Sequence, residues 1–377
     1  MISNSGSRIS RNALRAAFMF FASMVLGASI AFLSYSPSVS QYKRPFREPM
    51  NHAEMEERNI PDSPLSGHDP HELHHLGEGV EAERLMQTVR VVCWVMTRPE
   101  THEKKAVHVK ATWGKRCNKL IFMSSQNDDN LGAIDLGVGD GRDHLWGKTK
   151  AAFKYLYDHH LSDYDWFFKA DDDTYTVMEN MRYMLSSYDP SFPIYFGSRF
   201  KKFSKQGYMS GGGGYVLSRE ALRLFVEEAL PNPRKCKQDY TGAEDAEMGK
   251  CLNNVGVMAG DTRDSLGRGR FFPFTPGTHL MGGVPDWYLD YVYYKPDTGL
   301  ECCSDTAVTF HYVDVTKMYT LEYLLYHLRP YGIAHHDPFP APLPPDTNSI
   351  PKQVLENARE TQNASHQAQQ IPQDTTS

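Results

Sequence analysis

The sequence predicts an α/β domain built on a largely parallel sheet, and three observations carry that reading. Short apolar runs alternate with amphipathic segments of helical period over residues 89–252, the pattern of strands joined by crossover helices. Glycine and proline punctuate the joints, as in Thr97-Arg98-Pro99 and Ser210-Gly211-Gly212-Gly213-Gly214. The aromatic run Trp166-Phe167-Phe168-Lys169-Ala170 ends in Asp171-Asp172-Asp173, and ligands of open α/β sheets gather at the carboxyl ends of strands.

Taken in order, Val89–Met96 reads as the first strand, closed by the turn at Pro99, and Lys104–Trp113 has helical character. Lys119–Ser124 is the next strand. Leu145–His159 is an amphipathic helix with Phe153, Leu156 and Tyr157 on one face. Tyr164–Ala170 delivers the aspartates, and Thr174–Ser186 reads as a helix. Phe192–Gly197 and Tyr215–Leu217 supply further strands, Arg219–Ala229 a helix, and Val308–Val313 a late strand.

Side chains at i and i+2 of an extended backbone point the same way, so Asp171 and Asp173 are placed to share one hard divalent cation. The competing reading makes Asp173 a helix cap. The four glycines Gly211–Gly214 permit either close approach of a ligand to the backbone or a flexible turn. They do not form a G-x-x-x-x-G-K-[ST] loop, which disfavours kinase and ATPase chemistry. Thr241–Leu252 places Glu244 and Asp245 at the start of a helix, where acids complement the dipole and where one beside a glycine-rich turn could act as a general base. His311, alone among apolar neighbours, reads by itself as a core histidine.

Composition bounds the chain. It has 377 residues, 40% hydrophobic and 23% charged, ordinary for a globular protein. Residues 87–333 are nearly neutral, without the basic surface of a nucleic-acid-binding protein. Ala16–Tyr35 carries no charge and follows Arg8, Arg11 and Arg15. It is expected to be an uncleaved transmembrane anchor (16–35) behind a cytoplasmic tail (1–15), with a signal peptide cut near Gly27-Ala28-Ser29 as the rival. Acidic, proline-containing residues 36–86 read as a stem, 87–333 as the folded domain and 334–377 as a disordered tail with a sequon at Asn363-Ala364-Ser365. All six cysteines lie within 87–333, and an even count behind an anchor suits an oxidising lumen. Six cysteines allow 15 pairings. Proximity suggests Cys93–Cys117, Cys236–Cys251 and Cys302–Cys303, with buried free thiols as the alternative.

Several blocks together resemble the core 1 β1,3-galactosyltransferases, or T synthases, of glycosyltransferase family 31. They are Gly141-Arg142-Asp143-His144-Leu145-Trp146-Gly147-Lys148, Phe168-Lys169-Ala170-Asp171-Asp172-Asp173-Thr174-Tyr175, Ser210–Ser218, Glu244-Asp245, Cys302-Cys303-Ser304-Asp305 with Phe310-His311-Tyr312-Val313, and Leu324–Gly332. The resemblance spans roughly 88–333. It implies a GT-A fold, a type II Golgi membrane anchor, Mn²⁺ and a homodimer. The activity it implies is inverting transfer of galactose from UDP-galactose to the 3-hydroxyl of GalNAc-α-Ser/Thr on glycoproteins.

On this chain the resemblance makes Asp171, Asp173 and His311 the metal ligands. It places Met96 at the uracil, Asp140, Gly141, Arg142 and Lys148 at UDP, and Tyr319 over the diphosphate. Trp287 and Tyr288 are implied to bind the acceptor sugar, core packing being the other reading for aromatics in that run. Asp245 is the expected base, with Glu244 second. The chain departs from the family pattern at Pro273–Leu280, at Gly139-Asp140 and at Leu289-Asp290, differences that bear on the acceptor more than on the chemistry. The competing functions are another β1,3-glycosyltransferase with a different donor or acceptor, and a catalytically silent chaperone related to the one dedicated to core 1 synthase.

Overall fold

The computed structural model describes residues 79–328 and Pro330. The anchor at 16–35, the sequon and the tail from Ala334, with nearly all of the stem, lie outside the described residues. Among the described residues no helix is long and apolar enough to cross a membrane.

The chain begins with helix α1 (Val80–Thr88), strand β1 (Val91–Met96) and a π-helical turn leading into α2 (Val107–Ala111). Strands β2 (Lys119–Ser124) and β3 (Ala133–Asp135) precede α3 (Leu145–His160), β4 (Trp166–Asp171), β5 (Tyr175–Thr176) and α4 (Met178–Leu185). Then come β6 (Ile194–Gly197), β7 (Arg199–Phe200), β8 (Tyr208–Met209), β9 (Tyr215–Ser218), α5 (Arg219–Leu224) and α6 (Glu244–Asn254). The last elements are β10 (Met258–Ala259), β11 (Phe271–Phe272), α7 (Pro276–Leu280), α8 (Asp286–Tyr291), β12 (Thr309–Phe310) and α9 (Val315–Tyr326).

Seven strands form the central sheet in the order β10-β6-β9-β4-β1-β2-β3. The sheet is mixed rather than uniformly parallel. β1 runs parallel to β2 and β4, but β9 pairs antiparallel with both β4 and β6. The reversal follows from connectivity: β9 enters from the opposite end through the β7–β8 hairpin and the glycine run, without a crossover helix.

Every residue of β1 is buried. Val91, Cys93 and Val95 join one core; Val92, Trp94 and Met96 join the other. A strand covered on both faces has no polar side to show, which explains its continuous apolar sequence. Each such large side chain taken fully from water contributes roughly 1.5–3 kcal/mol. Helix α3 covers the second face with Trp146, Phe153 and Leu156, at the spacing of one helical stripe.

Local signals set the element ends. The Ser218 hydroxyl accepts from the Ala221 amide and caps α5. The helix expected from Thr174 starts only at Met178, because Tyr175 and Thr176 are drawn into a second sheet with β12 and β11. Asp173 is therefore no helix cap. Val80–Thr88, read mostly as stem, is a helix that buries Leu85 in the first core, so the ordered domain begins before residue 87. All six cysteines are paired, as Cys93–Cys117, Cys236–Cys251 and Cys302–Cys303. The C-terminal helix α9 is tied down by a buried cation: Arg116 donates to both Glu322 oxygens and lies 3.6 Å from the Tyr326 ring centroid.

Candidate active site

The parallel register sets Asp171 opposite Met96 at the carboxyl ends of β4 and β1. β4 stops at Asp171, and a turn follows in which the Thr174 amide donates to the Asp171 carbonyl. Asp173 thus converges on Asp171 through this turn and not through strand alternation. The third member arrives from far along the chain. His311 follows β12, its amide donating to the Phe274 carbonyl, while the Val313 amide donates to the Asp173 carbonyl.

Oxygen atoms of Asp171 and Asp173 and a ring nitrogen of His311 lie within 4.8 Å of one another. His311 Nε2 is 3.0 Å from Asp173 Oδ1 and 3.7 Å from Asp171 Oδ2. Two carboxylates and an imidazole suit a borderline divalent cation such as Mn²⁺. Burial alone would push the Asp173 carboxyl up, but His311 and Lys105 hold it well below the usual range.

Each outer carboxylate has one oxygen turned to His311 and the other tied to a lysine. Lys105 Nζ donates to Asp173 Oδ2 at 2.9 Å, and buried Lys169 Nζ donates to Asp171 Oδ1. Asp172 points away and accepts from the Thr97 and Thr101 hydroxyls at 2.9 and 2.6 Å. It pins the aspartate turn to the segment after β1, and burial raises its pKa. Neither lysine carries a role in the sequence reading. Lys169 was within reach, since residues two apart on a strand share a face; the distant Lys105 announces itself by no local pattern.

The glycine run lies between this cluster and the acids of α6. A Cβ on Gly212 would stand 2.5 Å from His311 Cε1 and Nδ1, and one on Gly211 would stand 2.7 Å from Glu244 Oε2. Close approach, not flexibility, is what these glycines provide, and what approaches is the chain's own site.

Glu244 and Asp245 differ in environment. Glu244 is buried, and its Oε1 accepts from the Thr149 and Tyr215 hydroxyls. Asp245 is half-buried; Gly211 N donates to its Oδ2 at 3.0 Å and Ala246 N to its Oδ1 at 2.8 Å. Burial raises the pKa of both. Glu244 is thus held by two side-chain hydroxyls, and Asp245 by two backbone amides beside the glycine run.

The remaining expected positions divide. Buried Lys148 donates to Asp140 and to the Thr97 carbonyl, so Asp140 and Lys148 stand beside the same segment that Asp172 pins. Lys148 and Ser125 outweigh burial and lower the Asp140 pKa. Gly141 and Arg142 are exposed next to them, and Met96 is buried at its strand end. The Tyr319 hydroxyl lies 3.2 Å from His108 Nδ1, one turn of chain after Lys105.

Trp287 is 48% exposed, whereas Tyr288 is buried among Phe200, Phe274 and His279. Tyr288 therefore packs the shelf from beneath instead of offering its ring to a sugar. Exposed Tyr312, to which the sequence assigned no role, lies 4.1 Å from the His311 ring in a tilted contact and stacks on Phe274 at 6.1 Å. It connects the Asp171–Asp173–His311 cluster with Trp287, which contacts Phe274 at 5.9 Å.

Residues 87–262 match the Fringe-like family. Glycoprotein-N-acetylgalactosamine 3-beta-galactosyltransferase 1 of Xenopus laevis is 48% identical over 274 residues, 72% of this chain and 75% of the relative. Beta-1,3-glucosyltransferase of Mus musculus is 30% identical over 166 residues, 43% of this chain and 33% of that protein. A galactosyltransferase solved with donor and acceptor sugar analogues covers 64% of this chain at 13% identity, with a TM-score of 0.36, too distant to compare sites. The extent and identity of the first match decide the matter, and the chain belongs to the glycoprotein-N-acetylgalactosamine 3-beta-galactosyltransferase family.

Proposed function

We propose that this chain is an inverting, Mn²⁺-dependent transferase of GT-A type. It moves galactose from UDP-galactose to the 3-hydroxyl of GalNAc-α-Ser/Thr on glycoproteins, forming the core 1 O-glycan. The observation that carries the reading is the convergence of Asp171, Asp173 and His311 beside the Gly211–Asp245 hydrogen bond, in a chain 48% identical to a protein of that name.

Asp171, Asp173 and His311 would hold the cation, which supplies charge neutralisation to the departing diphosphate. The chain's own residues do the rest. Asp245 takes the proton from the attacking hydroxyl, and its raised pKa makes it a better proton acceptor than an ordinary aspartate. Two backbone amides hold its oxygens in place. Met96, Asp140, Gly141, Arg142 and Lys148 line the donor side, with Tyr319 over the diphosphate. Trp287 offers an apolar ring to the face of GalNAc, joined to the cluster by Phe274 and Tyr312.

We place the enzyme in the Golgi membrane as a single-pass type II protein, with the catalytic domain in the lumen. The uncharged stretch Ala16–Tyr35 and the three disulfides favour that compartment. A homodimer and a dedicated chaperone are the partners this family suggests.

The test is UDP release across several UDP-sugars, with and without GalNAc-Ser/Thr peptide and Mn²⁺. Release from UDP-galactose alone, dependent on both, is expected. Preference for another sugar or acceptor would make the chain a different β1,3-glycosyltransferase, and silence with every donor would make it a chaperone.

A further inference from the structure

Lys169 is a cation buried in the floor of the site, its side chain only 3% exposed. A lone ammonium removed from water is costly unless paired and hydrogen-bonded. Its Nζ has two partners from separate parts of the fold: Asp171 Oδ1 at the end of β4, and the Gly211 carbonyl at 3.1 Å. Gly211 is held at both of its polar ends, because its amide donates to Asp245 Oδ2 at 3.0 Å. A Cβ at that position would come within 2.7 Å of Glu244 Oε2 and 3.6 Å of Lys169 Nζ, so the bridging residue is closely confined.

Resting on the transferase reading above, we propose that Lys169 is a positioning residue for transfer: by holding Asp171 Oδ1 and the Gly211 carbonyl at once, it fixes the base Asp245 in register with the cation-binding carboxylates. Two consequences follow. Tying Oδ1 leaves Asp171 Oδ2 as the oxygen that faces His311. Holding Gly211 sets the height at which its amide presents Asp245 to the acceptor hydroxyl. In-line displacement needs the base and the leaving group on opposite sides of one carbon, so an error of about an ångström at either end costs rate, not binding alone.

The rival account makes Lys169 a counter-ion serving the metal ligands only. The two accounts part in the split between affinity and turnover. Lys169→Met removes both hydrogen bonds, and Lys169→Gln is one bond too short to reach both partners. Each variant, as the full chain, is measured by calorimetry for Mn²⁺–UDP affinity and by UDP release for kcat at saturating Mn²⁺, donor and acceptor. We expect Mn²⁺–UDP binding to weaken about tenfold and kcat at saturation to fall about 10–100-fold, the range seen when residues supporting metal ligands are removed. A kcat within about twofold of the unaltered enzyme at saturating Mn²⁺ overturns the proposal, whatever happens to affinity. If Lys169→Met does not fold, Lys169→Gln decides by the same criterion. The comparison uses whichever UDP-sugar and acceptor the unaltered enzyme turns over, so the galactose reading can fail while this inference stands.

Discussion

Gly212→Ala tests the site through a single methyl group. The added Cβ would lie 2.5 Å from His311 Cε1 and Nδ1 and 3.1 Å from its Cγ. That is about 0.9 Å inside the 3.4 Å at which ordinary contact begins. Gly212 has no positive φ, so the substitution introduces no backbone strain and its effect passes to the imidazole. The ring cannot simply slide away, because the His311 amide is bonded to Phe274 and the Tyr312 ring lies 4.1 Å from the imidazole. It must tilt, and the 3.0 Å approach of Nε2 to Asp173 Oδ1 is lost. Misplacing one of three ligands should weaken Mn²⁺ binding about 10–100-fold, or about 1.4–2.7 kcal/mol. The assay is calorimetric titration of Mn²⁺ in the presence of UDP, with thermal unfolding as the check on folding. Gly277→Ala serves as control, since a Cβ there meets nothing within 4 Å. Unchanged Mn²⁺ affinity in folded Gly212→Ala would refute the claim that His311 is a ligand held in place by the glycine run.

Four further outcomes are expected. Asp245→Asn should abolish transfer while Mn²⁺-dependent UDP binding persists, and near-normal turnover would exclude Asp245 as the base. In the unaltered enzyme kcat should fall as pH drops through the raised Asp245 pKa, because the base must be ionised; an acid limb at the ordinary aspartate position would contradict this. Asp173→Ala should lose Mn²⁺-dependent UDP binding, as read by calorimetry, and retained affinity would sink its role as ligand. His279, 3% exposed between Phe272 and Phe274, is lowered by burial from 6.5 to about 4. The fold holds it neutral while the unfolded chain protonates, so its stabilisation is complete above about pH 6.5 and is lost as pH falls toward 4, by up to about 3 kcal/mol. His279→Leu should flatten that limb in chemical denaturation, and an unchanged slope would assign it to other groups.

Much of the scaffold was legible because local pattern and final environment agree. The apolar run at β1 is continuous since both faces are covered, and the α3 stripe at Trp146, Phe153 and Leu156 faces one of those covers. Legibility failed where tertiary contacts override local signals. Tyr175 and Thr176 look like the start of a helix but pair with β12. β9 resembles any short buried strand, and nothing within it reveals that it runs antiparallel. Tyr288 and Trp287 are neighbours with the same aromatic character, yet one is buried and the other exposed, because a one-residue step on a helix turns the side chain by about 100°.

The site itself divides along the same line. The aspartate triplet and Glu244-Asp245 are local clusters and stood out; what makes them a site is the partner each receives from elsewhere. Five carboxylates gather here, and their mutual repulsion would expel protonless acids from a buried place unless cations were interleaved. Lys105 reaches Asp173 and Asp172, Lys169 reaches Asp171, and His311 faces both outer aspartates. Of these five, Asp245 and Glu244 lack an ion-pairing cation of their own at contact distance, and burial raises the pKa of both. The distribution therefore separates functions that the sequence alone leaves merged. Asp173, held low by His311 and Lys105, suits a metal; an acid held by backbone amides, with its pKa raised, suits a proton. The same spacing of charges explains two of the four glycines: a side chain at Gly212 would crowd His311 beside Asp173, and one at Gly211 would crowd Glu244, which accepts from Tyr215.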